Sequence, residues 1–279
     1  MFQYAAGCEL AERLGSRLVL DISAFKNYTL HQGFELNRLF EMTPAIATTK
    51  DLRCLLGWQH SPILRSLLSR RRLATLRSPR FILEPHFHFW NGFDELGDDI
   101  YLVGYWQSEK YFKSVIAQIR EAFRFRLPLE GQNIELAARI SQTQAVSLHV
   151  RRGDYASNLK TKAVHGLCSL DYYRAAVAHV VRKVDKPEFF IFSDDINWVR
   201  TNLQLDFPHN FVEHNKEASS YIDMQLMSLC RHHVIANSSF SWWGAWLNPS
   251  LEKIVVVPRL WFVNNNNVQD LFPEGCVLL

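Results

Sequence analysis

Two adjacent arginines and a run of serines are the residues of this 279-residue chain whose types most clearly suggest chemistry. Arg151 and Arg152 stand in the segment His-Val-Arg-Arg-Gly-Asp-Tyr, and a guanidinium group can bind two phosphate oxygens at once. Ser238, Ser239 and Ser241 stand at the start of a short predicted helix, where N–H groups and hydroxyls form an anion site. Together these residues predict a site for a diphosphate. The alternatives are a surface turn with local ion pairs and an ordinary helix cap.

These polar segments follow predicted strands. The strands are expected at residues 145–150, 188–193, 211–213, 233–236 and 253–257, with helices at 170–184, 195–203 and 217–230 between them. Strands that alternate with helices predict a parallel, doubly wound sheet, which binds ligands outside the carboxyl ends of its strands. Ser193, Asp194 and Asp195 end the second strand, so they should lie at the same edge as the arginines and serines. We interpret the two aspartates as a loop brace and a helix start.

The first half of the chain carries weaker signals. A helix is expected at residues 2–14, with Gly15 as its terminator, followed by strands at 17–21 and 101–105 and a helix at 116–125. Residues 128–133 are a plausible linker. The sequence therefore predicts two α/β lobes, residues 1–140 and residues 141–279.

Composition excludes several classes of protein. Apolar residues make up 48% of the chain and the net charge is +3, which excludes a disordered chain and disfavours a dedicated nucleic-acid binder. The five cysteines are scattered without a Cys-x-x-Cys pair, so no zinc or redox motif is expected. The sequence shows neither a secretory leader nor an apolar run of the ~18 residues that a membrane span needs. These features predict a soluble, cytoplasmic protein.

An arginine-rich stretch stands out because residues 53–83 contain no carboxylate. Its arginines between Arg65 and Arg80 are consistent with a solvated helical face. The alternative is weak adhesion to an anionic membrane surface, at about 1 kcal/mol for each basic residue near it.

Several motifs taken together resemble the α-1,2-fucosyltransferases of glycosyltransferase family 11. They are His-Val-Arg-Arg-Gly-Asp-Tyr at 149–155, Ser-Asp-Asp at 193–195, Ser-Phe-Ser-Trp-Trp-Gly-Ala-Trp-Leu at 239–247, Met-Phe-Gln-Tyr-Ala-Ala-Gly at 1–7 and Tyr-Leu-Val-Gly-Tyr-Trp-Gln-Ser-Glu-Lys-Tyr-Phe at 101–112. The resemblance implies a glycosyltransferase B-type fold, in which two Rossmann-like lobes flank a cleft. That family has a Gly-rich strand and loop before the Met-Phe-Gln-Tyr stretch, so the N-terminal lobe is expected to lack its first strand.

The resemblance also implies an activity. It is the inverting, metal-independent transfer of L-fucose from GDP-fucose to the 2-hydroxyl of a terminal galactoside, with no cofactor. A bacterial enzyme of surface-glycan synthesis is expected, in the cytoplasm or on the inner face of the plasma membrane, where Arg65–Arg80 would make the contact. The competing interpretations are a transferase for another nucleotide sugar and a truncated, inactive protein that still binds nucleotide or sugar.

Donor-binding roles follow from this chemistry. Arg151 is the first choice for the charge of the departing diphosphate and Arg152 the second, while Ser239 and Ser241 would hold the β-phosphate. Asp223 would accept hydrogen bonds from guanine N1–H and N2–H₂, unless it is simply an exposed carboxylate on its helix.

The remaining candidates are less sharply defined. The other donor-binding candidates are His149, Ser193, Asp194, Ser238 and Phe240. His149 could equally be a structural histidine. For the general base that an inverting transfer needs, Asp154 and His165 are both available. Asp154 could instead hold Arg152.

Overall fold

The computed structural model describes residues 1–27, 33–263 and 267–279, without the side chains of residues 26, 27, 154, 157, 159, 160 and 162. The chain forms two compact units: Met1–Arg126 with Asn267–Pro273, and Leu127–Asn266 with Glu274–Leu279. The sequence placed the boundary after residue 140 instead. The units divide earlier because Ile140, in the helix that ends at Gln142, is buried in the core of the second unit.

The first unit contains five α-helices and two short parallel sheets among its described residues. Its elements are α1 Phe2–Leu14, β1 Val19–Leu20, α2 Leu36–Leu39, β2 Ala45–Ile46, α3 Thr49–Leu56, α4 Pro62–Leu68, β3 Phe81–Leu83, β4 Tyr101–Val103 and α5 Ile116–Ala122. Turns of 3₁₀ helix lie at Ser23–Asn27, Gly57–His60, Arg71–Leu76, Asn91–Phe93 and Glu109–Val115. Strand β1 pairs with β2, and β3 pairs with β4. As predicted, α1 ends at Gly15, whose φ of 62° lies in the left-handed region that glycine adopts without strain.

The arginine-rich stretch does not form one solvated face. Arg65 is 5% exposed, and its guanidinium lies 3.1 Å from the Asp21 carboxylate and donates to the Ser23 hydroxyl. A buried guanidinium needs such a carboxylate because an unpaired charge is costly away from water. The expectation that Arg65 belongs to an external contact surface is therefore wrong.

The second unit contains seven α-helices and one six-stranded sheet among its described residues. Its elements are α6 Gln132–Gln142, β5 Gln144–Val150, α7 Gly153–Ser157, α8 Leu159–His165, α9 Leu170–Lys183, β6 Pro187–Ser193, α10 Ile196–Asn202, β7 His209–Val212, α11 Tyr221–Leu229, β8 His232–Val234, α12 Ser239–Leu247, β9 Val255–Val257 and β10 Val277–Leu278. A 3₁₀ turn at Glu217–Ser219 precedes α11.

The six strands are all parallel and lie in the order β10-β9-β8-β5-β6-β7. The chain first moves outward from β5 through β6 to β7, then returns to β8 on the other side of β5 and continues outward. This is the strand order of a dinucleotide-type Rossmann sheet. Its direction reverses between β5 and β8, and ligands bind at the carboxyl ends beside such a reversal.

Alternation along β5 decides which residues face which layer of helices. Val146 and Leu148 pack with residues of α9 and β6 on one face, and Ala145 packs with residues of α6 and α11 on the other. Because side chains alternate, His149 points to the same face as Ala145, and its ring lies 5.8 Å from that of Phe240 in α12. In the described parts of the chain, no helix is both long enough and apolar enough to span a bilayer.

Candidate functional site

The loop after β5 is built around ion pairs with the loop after β6. Arg151 Nη1 lies 2.9 Å from Asp194 Oδ2, and the backbone N–H of Arg152 donates to Asp194 Oδ1 at 2.8 Å. Gly153 packs against this carboxylate: a Cβ there would lie 2.5 Å from Asp194 Oδ2 and would have to displace the Asp194 side chain. Asp195 caps α10 by accepting from Trp198 N at 3.2 Å. Asp194 thus braces the loop and Asp195 begins α10, as predicted, while the donor-binding role expected of Asp194 stays a prediction.

The two arginines lie on different sides of this loop. The Arg152 guanidinium lies 3.6 Å from the centre of the Trp198 ring, and its Nε is 3.3 Å from Asp195 Oδ2, so it packs along α10. The Arg151 guanidinium lies over the Tyr155 ring at 5.4 Å. The Tyr155 hydroxyl in turn donates to the carbonyl of Asn237, beyond β8, at 3.4 Å. Arg151 is therefore the arginine nearer the reversal between β5 and β8.

Helix α12 begins at the same edge, directly beyond β8. Ser238 is its N-cap, with a buried hydroxyl that accepts from Phe240 N at 3.3 Å. Ser241 is also buried, and its hydroxyl donates to the Ser238 carbonyl at 3.3 Å. Ser239 is exposed in the first turn. Ser239 is thus the hydroxyl that faces solvent where the helix dipole favours an anion, while Ser238 and Ser241 shape the helix start.

His149 is a neutral polar group beneath this helix start. Burial, followed by the charge of Arg151, lowers the pKa of His149 to about 3. The side chain is 5% exposed, and its Nδ1 has no hydrogen-bond partner among the described residues. An unpartnered buried nitrogen beside a helix N-terminus is what a bound polar ligand would satisfy. A pKa of about 3 makes His149 unsuited to act as a base near neutral pH.

Tyr155, His165 and Asn237 connect three loops at this edge. The Tyr155 and His165 rings are stacked at 4.8 Å with an angle of 16° between their planes. The Asn237 side chain is 1% exposed and donates to the carbonyls of His165 at 2.8 Å and Trp261 at 3.3 Å. The Tyr155 ring thus contacts both the His165 ring and the Arg151 guanidinium. The side chain of Asp154 lies outside the described residues.

Asp223 lies in the first turn of α11 within a polar cluster. Its Oδ1 accepts from Asn215 Nδ2 at 2.9 Å, and Asn215 is paired in turn with Asn133 at 3.0 Å. His214 Nε2 also lies 2.8 Å from Asn133 Oδ1. Burial raises the pKa of Asp223 to about 7, against the lowering effect of the Asn215 hydrogen bond. The sequence left two interpretations of Asp223, a guanine-binding residue or an exposed carboxylate on its helix. The structure excludes the second, because the side chain lies in this polar cluster.

Sequence reasoning gave no individual role to three residues of this edge: Tyr155, Trp198 and Asn237. Tyr155 is the last residue of the motif at 149–155 and Asn237 directly precedes Ser238, so their positions alone were a signal. Trp198 lies inside α10 and carried none. No cluster of three His, Cys, Asp or Glu side chains that could hold a metal occurs in the part of the chain that the structure describes.

The strand order and the polar edge define the second unit as a Rossmann-type α/β unit. The whole chain belongs to glycosyltransferase family 11, because the family model "Glycosyl transferase family 11" matches residues 92–269.

Individual relatives agree with this assignment. An alpha-1,2-colitosyltransferase of Escherichia coli is 36% identical over 99% of this chain and 93% of its own length. The O-antigen biosynthesis glycosyltransferase WbnK of Escherichia coli is 32% identical over 95% of this chain and 92% of its own length. The crystal structure of the fucosyltransferase NodZ from Bradyrhizobium matches 89% of this chain and 88% of its own, with a TM-score of 0.51 and 14% identity. That likeness shows the fold, which is of the glycosyltransferase B type.

Proposed function

We propose that this protein transfers L-fucose from GDP-fucose to the 2-hydroxyl of a terminal galactoside, with inversion at the sugar C1. The observation that carries the proposal is the edge at which Arg151, the neutral His149 and the exposed Ser239 at the start of α12 lie around the strand reversal. The motif resemblance supports fucose and galactoside. The α-1,2 linkage is also the one named for the Escherichia coli relative.

Departure of the diphosphate is the step that this edge would assist. The acceptor oxygen forms a bond to the sugar C1 while the bond from C1 to the β-phosphate oxygen breaks, and the electron pair leaves with GDP. Arg151, Ser239 and the N–H groups that open α12 are positive or donating groups at that place. Donors fixed before the reaction stabilise developing charge at little cost of reorganisation.

Arg151 is already paired with Asp194, which holds its guanidinium in a defined orientation. Arg152 is stacked on Trp198 and paired with Asp195, so we assign it to the support of the loop and to a secondary contact with phosphate. This ranking keeps Arg151 as the main group for the leaving charge.

Asp223 is proposed to select guanine. Its Oδ1 already accepts from Asn215, so guanine N1–H and N2–H₂ would be read by the remaining acceptor positions of the carboxylate. A carboxylate can serve both donors, whereas adenine and uracil present a different pattern. Because the free carboxyl has a pKa of about 7, guanine binding would draw it into the ionised form.

The base that accepts the proton of the acceptor hydroxyl is proposed to be His165 or Asp154. His165 is oriented by its stack on Tyr155, one ring away from Arg151. His149 is set aside because its pKa of about 3 gives it too little basicity.

A colitosyl donor is the second candidate, because the relative that shares 36% identity over nearly the whole chain is named a colitosyltransferase. A donor panel separates the candidates: GDP-fucose, the corresponding colitosyl donor, other GDP-sugars and UDP-sugars, each with lactose as acceptor and with mass spectrometry of the product. The proposal expects the fucosyl product to form fastest. Faster colitosyl transfer would replace the donor, and transfer from UDP-sugars alone would overturn the role of Asp223.

A further inference from the structure

We propose that the first unit carries a docking surface for an anionic lipid bilayer, here called the basic apolar face. It consists of the exposed apolar side chains Trp58, Ile63 and Leu76 and the exposed arginines Arg70, Arg71 and Arg72. The surface belongs to the first unit, whereas the sheet edge to which the proposed transfer was assigned belongs to the second.

The apolar half of this face is unusually open to solvent. Trp58 is 66% exposed, Ile63 75% and Leu76 56%. Ile63 and Leu67 stand one helical turn apart on α4, so both lie on its outer side. The inner side of the same helix is occupied by Arg65 and Leu68, which are buried.

Buried contacts hold the segments of the face together. Gln59 is 4% exposed, donates to the Leu76 carbonyl at 2.8 Å and accepts from Ser78 N at 3.0 Å. Arg77 donates to the carbonyls of Leu68 at 2.7 Å and Arg70 at 3.0 Å. The two inward arginines, Arg65 and Arg77, therefore act as internal ties, and the three between them are left outside.

The three outer arginines have no ion-pair partner among the described residues. The carboxylate whose charge reaches Arg71 is Glu84, which is itself buried. Two other carboxylates of this unit are paired with other arginines: Asp99 lies 3.8 Å from Arg80, and Asp21 forms an ion pair with Arg65. The face therefore presents a net positive charge.

The positive charge and the exposed apolar side chains of the basic apolar face together indicate which partner binds it. A second copy of the same face would bring like charges together, which disfavours a dimer through it. Nucleic acid would match the arginines but not the branched side chains Ile63 and Leu76. A bilayer surface matches both halves, because aliphatic side chains and tryptophan insert at the headgroup boundary while arginines contact anionic headgroups.

Vesicle flotation of the full chain tests this proposal. The vesicles are made of phosphatidylcholine alone or of an equal mixture with phosphatidylglycerol. Strong binding is expected only with phosphatidylglycerol, and it should weaken as salt rises. Absence of binding to anionic vesicles at low salt would overturn the proposal, even if the chain captured an acidic protein instead.

Two variants and two matched controls locate the surface. Replacing Arg70, Arg71 and Arg72 by Gln should lower partitioning roughly a hundredfold, because each basic residue near an anionic surface contributes about fivefold. Trp58→Ser with Ile63→Ser should also weaken binding, without a lower melting temperature, since both side chains are exposed.

The controls lie in the second unit. Arg174→Gln, Arg182→Gln and Lys183→Gln on α9 remove the same three charges, and Leu251→Ser with Leu260→Ser removes side chains that are 100% and 76% exposed. Both controls should bind vesicles as the native chain does. Equal losses in the arginine variant and its control would overturn the assignment of the face, because net charge alone would then explain the binding.

Discussion

Asp223→Asn is the substitution that most directly connects one residue with the choice of nucleotide. It keeps the size of the side chain but removes its charge and one acceptor oxygen. The Asn215 hydrogen bond can still be accepted by the amide oxygen, so the polar cluster should persist. If Asp223 reads guanine, the variant loses hydrogen bonds to a charged group, worth about 1.5–3 kcal/mol, or roughly 10- to 150-fold in GDP affinity.

The pKa of Asp223 adds a second signature. Because burial raises that pKa to about 7, the free protein carries mostly the protonated acid at pH 6 and mostly the carboxylate at pH 8. Guanine binds the carboxylate, so the native protein must release a proton at the lower pH. GDP affinity should therefore rise about tenfold from pH 6 to pH 8, as expected when one group with a pKa near 7 must be ionised.

Calorimetry of GDP and ADP at pH 6, 7 and 8 measures both effects. The phosphate groups of the nucleotide also titrate, but this changes the affinity of the native and variant proteins alike. The difference between the two proteins in the pH dependence of GDP affinity is therefore due to Asp223. The variant should show weak discrimination between GDP and ADP and lose the tenfold pH dependence assigned to Asp223. Asp171→Asn is the matched control, because Asp171 lies in the first turn of α9 with its side chain 92% exposed.

Stability must be followed in the same samples. A raised pKa means that the folded state favours the protonated form of Asp223, so this group's contribution to stability is lost as pH rises through about 7. Asn resembles the neutral acid, and the variant should melt no lower than the native protein at pH 8. Unchanged GDP affinity in a folded variant would refute the reasoning and leave guanine recognition without a residue.

Three further predictions concern other groups. Arg151→Lys should lower kcat by about 10²-fold or more, because an ammonium group cannot donate two parallel hydrogen bonds as a guanidinium does. Arg174→Lys, on the exposed side of α9, is the control and should leave kcat unchanged. Near-normal turnover of Arg151→Lys would contradict the proposed role of Arg151. Transfer should survive excess EDTA, because Asp194 and Asp195 are engaged by arginines and by the start of α10, and activity restored only by Mg²⁺ or Mn²⁺ would reverse this expectation. Burial raises the pKa of Glu84 to about 7, so the contribution of this group to stability is lost as pH rises through 7. Glu84→Gln should therefore reduce the fall in melting temperature between pH 5.5 and pH 8. An equal fall in the native and variant proteins would contradict this prediction.

The second unit was the part of the fold that the sequence predicted best. Its strands at β5 and β6 are seven residues long and almost entirely buried, which makes a continuous apolar signal. Polar residues beyond β5, β6 and β8 were sufficient to place Arg151, Asp194 and Ser239 at one edge. Alternation of strands and helices supplied the parallel direction without any knowledge of long-range contacts.

Short elements and distant partners escaped prediction. Strands β2 and β10 are two residues long and have little pattern of their own. The inward direction of Arg65 depends on Asp21, a residue far away in the sequence, and could not be inferred from local charge. The same holds for Trp198, because only the folded loop brings Arg152 onto its ring.

The linkage of the product is the most direct test of the proposed transfer. The full chain would be incubated with GDP-fucose and a β-galactoside, and the purified product examined by NMR for its anomeric configuration and the substituted carbon. We predict an α-fucosyl group on O2 of the galactose residue. A fucosyl group on another hydroxyl, a β linkage, or release of GDP without transfer would contradict the proposed function.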